Sequence, residues 1–355
     1  MEEEEVNLLA FCRSPFTFLP ISMRSISTFV FLWVCLAGGS LAQGDFVVAE
    51  PQSGEGVLGF LYRHEVPAKE YKDAFLQLNK GKMGRQQSLL AGVAYKIDKR
   101  WIAKKEAEWR DYPIFGESYR KLEVIDDLLD GAIFYLIAGH GGPDPGAVGS
   151  LGSQQLCEDE YAYDVTLRLA RWLIERGGLV YLITRDDNDG IRDAEYLPCD
   201  KDEYAYLKGA IPARHLSRLK QRTGLVNSIS RKYAKSRYQR MVSIHIDSRS
   251  RGEQVDVFFY YHHKSSTGRA LATDVQKTFE ENYREHQPNR GYKGAVLPSN
   301  SLYVLRSTRP PAILIELGNI SSARDRQRIM IPDNRQALAH WMGEGLLYNY
   351  QASQK

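Results

Sequence analysis

An unbroken apolar run, Ala132–Ala138, stops abruptly at Gly139-His140-Gly141-Gly142-Pro143-Asp144-Pro145-Gly146-Ala147. A short run rich in β-prone residues and bounded by glycine and proline predicts a strand buried on both faces. Sheets built from such strands bind ligands beyond the carboxyl ends of the strands. Histidine, neutral near pH 7 and a common metal ligand, stands at that break. Two later runs end in the same way. Met241-Val242-Ser243-Ile244 leads into His245, and Pro311-Ala312-Ile313-Leu314-Ile315 leads into Glu316. One sheet would bring these three side chains to a common rim, which is the candidate active site.

Between these runs strand and helix patterns alternate, which predicts an α/β fold: a twisted, mostly parallel (mixed) sheet with helices on both faces. Residues 158–176 carry Ala162, Val165, Leu169, Trp172 and Leu173 at helical spacing. Strands are expected at 178–185, 241–247, 255–261, 302–306 and 312–315. Helices are expected at 267–283 and 334–350. Residues 187–215 are long and polar for a connection, and read either as a rim loop over the cleft or as a passive surface excursion.

His-Gly-Gly-x-Asp-x-Gly-Ala, an acidic helix start, Ser-Ile-His and a late Glu-x-Gly together resemble the zinc-dependent N-acetylmuramoyl-L-alanine amidases, cell-wall hydrolases. The resemblance covers about residues 132–350. Thr184-Arg185-Asp186 and the helix pattern Leu219-x-x-Arg222-x-x-x-Val226-Asn227 also match, with valine where the family has alanine. The family's Phe-x-Ser-Asn stands here as Asn319-Ile320-Ser321-Ser322, so the loop beyond Glu316 departs from the pattern.

The resemblance implies a zinc ion held by His140, Glu158 and His245, with Glu316 as general base, cleaving the amide between N-acetylmuramic acid and L-alanine. Counting back from Arg168-Leu169 and from Gly177 selects Glu158 as the acidic ligand, with Glu160 the alternative. Two histidines and a carboxylate with a further position open is a catalytic rather than a structural zinc set. Asp247, where the family more often has asparagine, is a candidate acceptor for a histidine N–H. Arg306 is a candidate substrate contact. The doublet His262-His263 is not expected to ligate, because strand neighbours point to opposite faces. Several division-associated relatives carry a long inhibitory helix after the third strand; here the chain runs directly into the helix at 267–283.

A chain of 355 residues suggests about two domains. Residues 1–22 begin with four glutamates and read as an extension outside the native protein. Residues 23–42 have the charge, apolar core and small-residue cleavage site of a signal peptide, ending at Ala42. Export to the periplasm or outside the cell follows, with no stable membrane span in the mature chain. Cys157 and Cys199 are the cysteines left after such cleavage. An oxidising compartment permits a disulfide between them, and two separate thiols are the alternative. Residues 48–99, with Gly54-Glu55-Gly56 in place of the usual Gly-Asp-Thr turn, resemble a lysin motif (LysM), a βααβ module that binds N-acetylglucosamine-containing glycans; a purely structural helical domain is the alternative. Residues 100–130, with a helix expected at 102–109, connect this unit to the catalytic domain at 131–351 and are expected to pack on it.

A formal net charge of +3 gives no case for nucleic acid. The expected partner is peptidoglycan, its glycan strands and stem peptides, and the sequence names no protein activator. Two other classes remain open at this point: a zinc carboxypeptidase-like peptidase, with Arg306 as its carboxylate binder, and a non-catalytic peptidoglycan-binding protein.

Overall fold

The computed structural model describes residues 46–52, 55–84, 87–102, 108–247, 256–287, 289 and 291–354. The extension and signal peptide expected at 1–42 lie outside them. The chain divides near residue 106 into two compact units.

The smaller unit runs β1 (Phe46–Ala49), α1 (Val57–Arg63), α2 (Ala68–Leu78) and β2 (Tyr95–Asp98), with the two strands antiparallel. Phe60, Leu61, Phe75, Tyr95 and Ile97 are buried together between helices and strands. Asn79, at the end of α2, clamps β2 with two bonds. Its amide donates to the Lys96 carbonyl and its oxygen accepts from the Lys96 N–H, each at 2.8 Å. A buried amide satisfied on both sides fixes where the second helix meets the sheet.

In the larger unit, β3 (Glu108–Asp111) and β4 (Lys121–Val124) form a hairpin. Trp109 therefore sits in a strand rather than in the helix expected at 102–109, and residues 103–107 lie outside the described set. Tyr112, Ile114, Phe115 and Leu122 join the main core of this unit, so this stretch packs as expected.

Among the described residues the central sheet holds six strands: β5 (Ala132–Ala138), β8 (Leu179–Leu182), β12 (Tyr238–Asp247), β13 (Phe258–His262), β14 (Val296–Ser299) and β15 (Ala312–Asn319). Their order is β14-β13-β15-β12-β5-β8. The β13–β15 pair is antiparallel and the others are parallel, so the sheet is mixed. It separates two cores. Along β5, Ala132, Phe134, Leu136 and Ala138 enter one, while Ile133, Tyr135 and Ile137 enter the other. The first is roofed by α3 (Glu158–Ile174), α5 (Ser266–His286), α7 (Ala323–Met330) and α8 (Pro332–Ser353). The second is roofed by α4 (His215–Lys232) and α6 (Tyr303–Ser307).

The strand expected at 302–306 is α6 instead. Five apolar-rich residues carry too little periodicity to separate strand from helix, and burying Val304 and Leu305 against the sheet face satisfies the pattern equally well. The hairpin β6 (Val148–Leu151) and β7 (Gln154–Cys157), between the His140 loop and α3, was not anticipated. Nearly all of α3 is buried, not one stripe alone. Its interior Asp164 is held by Arg168 at 2.8 Å and by the fully buried Arg335 of α8 at 2.6 Å.

Candidate metal centre

His140 follows β5 directly and has φ of 59°, in the left-handed region that non-glycine residues rarely occupy. Gly141, Gly142 and Gly146 also have positive φ. Such a loop needs bracing, and α4 supplies it. Arg222 donates to the His140 carbonyl, and Arg218 reaches Asp144 at 2.5 Å. Asp144 in turn accepts from His140 Nδ1 at 2.9 Å, which turns Nε2 of the ring toward α3. Gly146 has no room for a side chain: a Cβ there would sit 2.6 Å from Glu158 Oε2 and 2.7 Å from the His140 ring.

Glu158 opens α3 and is 3% exposed. Its two oxygens bridge the histidines. Oε2 lies 3.2 Å from His140 Nε2, and Oε1 lies 2.9 Å from His245 Nδ1. Backbone amides hold both oxygens, Ala147 N–H at 2.7 Å and Ile246 N–H at 3.0 Å. His245 closes the group from β12, and Ser243 Oγ lies 3.1 Å from its Nε2. Gly139 makes space for this ring, since a Cβ there would fall 2.5 Å from His245 Nδ1.

One donor atom from each of His140, Glu158 and His245 lies within 4.8 Å of the others. Two imidazoles and a carboxylate at that spacing fit the chemistry of zinc. Glu316 is on β15 in direct register with His245, half-buried, and on the same face of the sheet as the α4 core.

The charges are strongly coupled. Burial lowers the pKa of His140, but bonds to Asp144 and Glu158 outweigh it and lift the value to about 9. Burial raises Glu158, yet the two histidines hold it well below the usual carboxylate range. The bond from His140 likewise keeps Asp144 ionised. Burial, above all, lowers His245.

The other anticipated residues fall elsewhere. The described bonds of His245 go to Glu158 and Ser243. Asp247 lies past a break in register, opposite Asn319. Arg306 is exposed on α6, its guanidinium 5.2 Å from the Tyr303 ring centroid. Glu160 is not part of the His140–Glu158–His245 group and pairs with Arg192 at 2.9 Å. The rings of His262 and His263 lie 4.7 Å apart, tilted by 57°, outside this group. Sequence reasoning assigned no role to Asp144, Arg218, Arg222 or Ser243. Asp144 lies inside the glycine-rich motif, and Arg222 inside the α4 pattern, which was the available signal.

Residues 187–215 are a packed structure. β9 (Thr184–Arg185), β10 (Tyr204–Ala205) and β11 (Gly209–Ala210) form a small sheet. Glu203 accepts from Gly142 N–H at 2.6 Å, so the segment braces the His140 loop. Cys157 and Cys199 form a disulfide, which ties the segment to the start of α3.

A family described as N-acetylmuramoyl-L-alanine amidase matches residues 135–348. The germination-specific N-acetylmuramoyl-L-alanine amidase of Bacillus subtilis is 26% identical over 219 residues, 62% of this chain and 80% of that protein. The probable cell wall amidase LytH of Staphylococcus aureus is 24% identical over 277 residues, covering 73% of this chain and 78% of that one. Among solved structures, the CwlD amidase of Clostridioides difficile in complex with the GerS lipoprotein aligns with a TM-score of 0.47 at 21% identity. That alignment covers 62% of this chain and 99% of the other.

Proposed function

The chain belongs to the N-acetylmuramoyl-L-alanine amidase family, and from that premise we propose that it is an exported zinc hydrolase. Its substrate is the amide between N-acetylmuramic acid and the L-alanine of the stem peptide. The observation that carries the reading is the meeting of His140, Glu158 and His245 at one strand rim, with Glu316 one strand away.

His140, Glu158 and His245 would hold the metal; His140 Nε2 and His245 Nδ1 both face the Glu158 carboxylate. Zinc, when bound, activates water for attack and polarises the scissile carbonyl. Asp144 accepts a hydrogen bond from His140 Nδ1–H and so leaves Nε2 for ligation. Arg218 holds Asp144 in place, and Arg222 holds the loop through the His140 carbonyl. Glu316 accepts the proton of the attacking water and passes it to the leaving amine.

Residues 48–99 act as a LysM-like module that holds the enzyme on glycan strands; the β-α-α-β order with antiparallel strands supports this reading. Residues 23–42 direct export to the periplasm or cell exterior, and the Cys157–Cys199 bond suits such an oxidising compartment. No described helix is long and apolar enough to cross a membrane.

The test is mass spectrometry of purified peptidoglycan after digestion. Free stem peptides beside intact glycan strands are expected. Stems shortened from their carboxyl ends would instead identify a carboxypeptidase, and the absence of products a binding protein.

A further inference from the structure

A second group of carboxylates begins at the residue after Glu158 in the first turn of α3. Asp159 and Glu160, in the first turn of α3, meet Glu203 from the 187–215 segment, with one oxygen of each within 4.8 Å of the others. They are 1%, 2% and 7% exposed respectively. Glu160 is partly answered, since Arg192 reaches its Oε2 at 2.9 Å and the Asp200 N–H donates to its Oε1 at 2.9 Å. Glu203 accepts the Gly142 N–H at 2.6 Å. Asp159 Oδ1 accepts from the Glu160 N–H at 3.0 Å, but its Oδ2 is buried and, among the described residues, has no hydrogen-bond partner.

Burying a carboxylate oxygen with nothing to meet it is costly, and close carboxylates repel unless a cation or proton lies between them. The geometry points to a second metal site, one for calcium, formed by Asp159, Glu160 and Glu203. Oxygen donors alone select a hard divalent cation rather than zinc. Calcium bonds oxygen at about 2.3–2.6 Å, so ligands on opposite sides stand about 5 Å apart, in keeping with this spacing. Magnesium keeps several waters around itself, which suits this enclosed position less well. The ion joins the start of α3 to the 187–215 segment, the same two pieces that the Cys157–Cys199 bond links. Through Glu203 and Gly142 it also steadies the loop that carries His140.

The experiment uses the full zinc-loaded protein, titrated with calcium chloride by calorimetry and by thermal unfolding. One calcium per chain should bind, with a rise in Tm of a few degrees at saturation. Binding should be lost in Asp159→Asn and in Glu203→Gln, which keep the side-chain shape and relieve buried charge. It should persist in His245→Ala, which removes only the zinc ligand. Failure of the zinc-loaded wild-type protein to bind calcium at millimolar concentration would overturn the proposal, since a shared proton would then suffice. Calcium binding undiminished in both carboxylate variants would overturn it equally. Neither result bears on the amidase reading, which is tested on products.

Discussion

His245 and Glu316 occupy the same register position on adjacent parallel strands, β12 and β15. Their side chains share one face of the sheet, the face of Ala312 and Leu314. His245 is tied to Glu158, whereas Glu316 stands on the neighbouring strand, so the roles proposed for the two carboxylates are separable by substitution. Glu158→Gln should weaken zinc binding, with activity partly restored by excess metal. Glu316→Gln should keep its zinc and lose about 10²–10⁴-fold in turnover, the usual cost of a missing general base. Zinc content and turnover on purified sacculi, measured for both variants, check this. Near-wild-type turnover in Glu316→Gln would remove it from the mechanism.

Gly139 is a sharper probe of the metal centre than the ligands themselves. A methyl group there meets the His245 ring at 2.5–2.9 Å. Gly139→Ala should therefore displace the imidazole and cost about 1–3 kcal/mol of stability through overpacking. Zinc occupancy should fall toward that of His140→Ala and His245→Ala, which are expected to hold almost none. Metal analysis by mass spectrometry, beside circular dichroism to verify folding, decides the matter.

Asp144 connects the histidine to α4. Asp144→Ala frees the His140 ring and leaves Arg218 without its carboxylate. Loss of such a partner typically lowers metal affinity about 10–100-fold. A chelator competition assay should show that drop, while Asp144→Asn, which keeps an oxygen acceptor, should retain more of the affinity.

The pH behaviour of the metal-free protein follows from His140, whose folded pKa is raised to about 9 against an ordinary value of 6.5. A raised pKa stabilises the fold fully below pH 6.5, and that contribution disappears as pH climbs through about 9. The Tm of metal-free protein should therefore fall across this interval, and the fall should be shallower in Asp144→Ala. Zinc bound as proposed would displace the same proton, so its apparent affinity should rise about tenfold per pH unit below about 9. A flat zinc affinity between pH 6.5 and 9 would contradict the raised value.

What the sequence discloses depends on how local the cause is. Ala132–Ala138 is legible because both of its faces enter cores, leaving an unbroken apolar string. His140 and His245 are legible because each follows such a string, and the two meet at Glu158; Glu316 also follows one but lies inside β15. The choice of Glu158 over its acidic neighbours rested on resemblance to a family pattern. In the structure, Glu158 faces the histidines while Glu160 faces Arg192. The residues around 302–306 misled because a five-residue apolar segment fits a strand or a helix equally. Arg222 under His140, Glu203 on Gly142 and the pairing of Cys157 with Cys199 depend on contacts between segments 42 to 82 residues apart. No local spacing encodes such contacts.

The Cys157–Cys199 bond also changes how this molecule meets damage. It encloses α3, β8 and β9 in one covalent ring with the start of the 187–215 segment. A single backbone cut inside that ring would leave both fragments joined. The cut ends would then have to separate against the buried contacts of Asp164, Arg168 and Arg335 as well. The ring therefore keeps the two sides of such a nick covalently joined, where an unlinked chain would rely on packing alone.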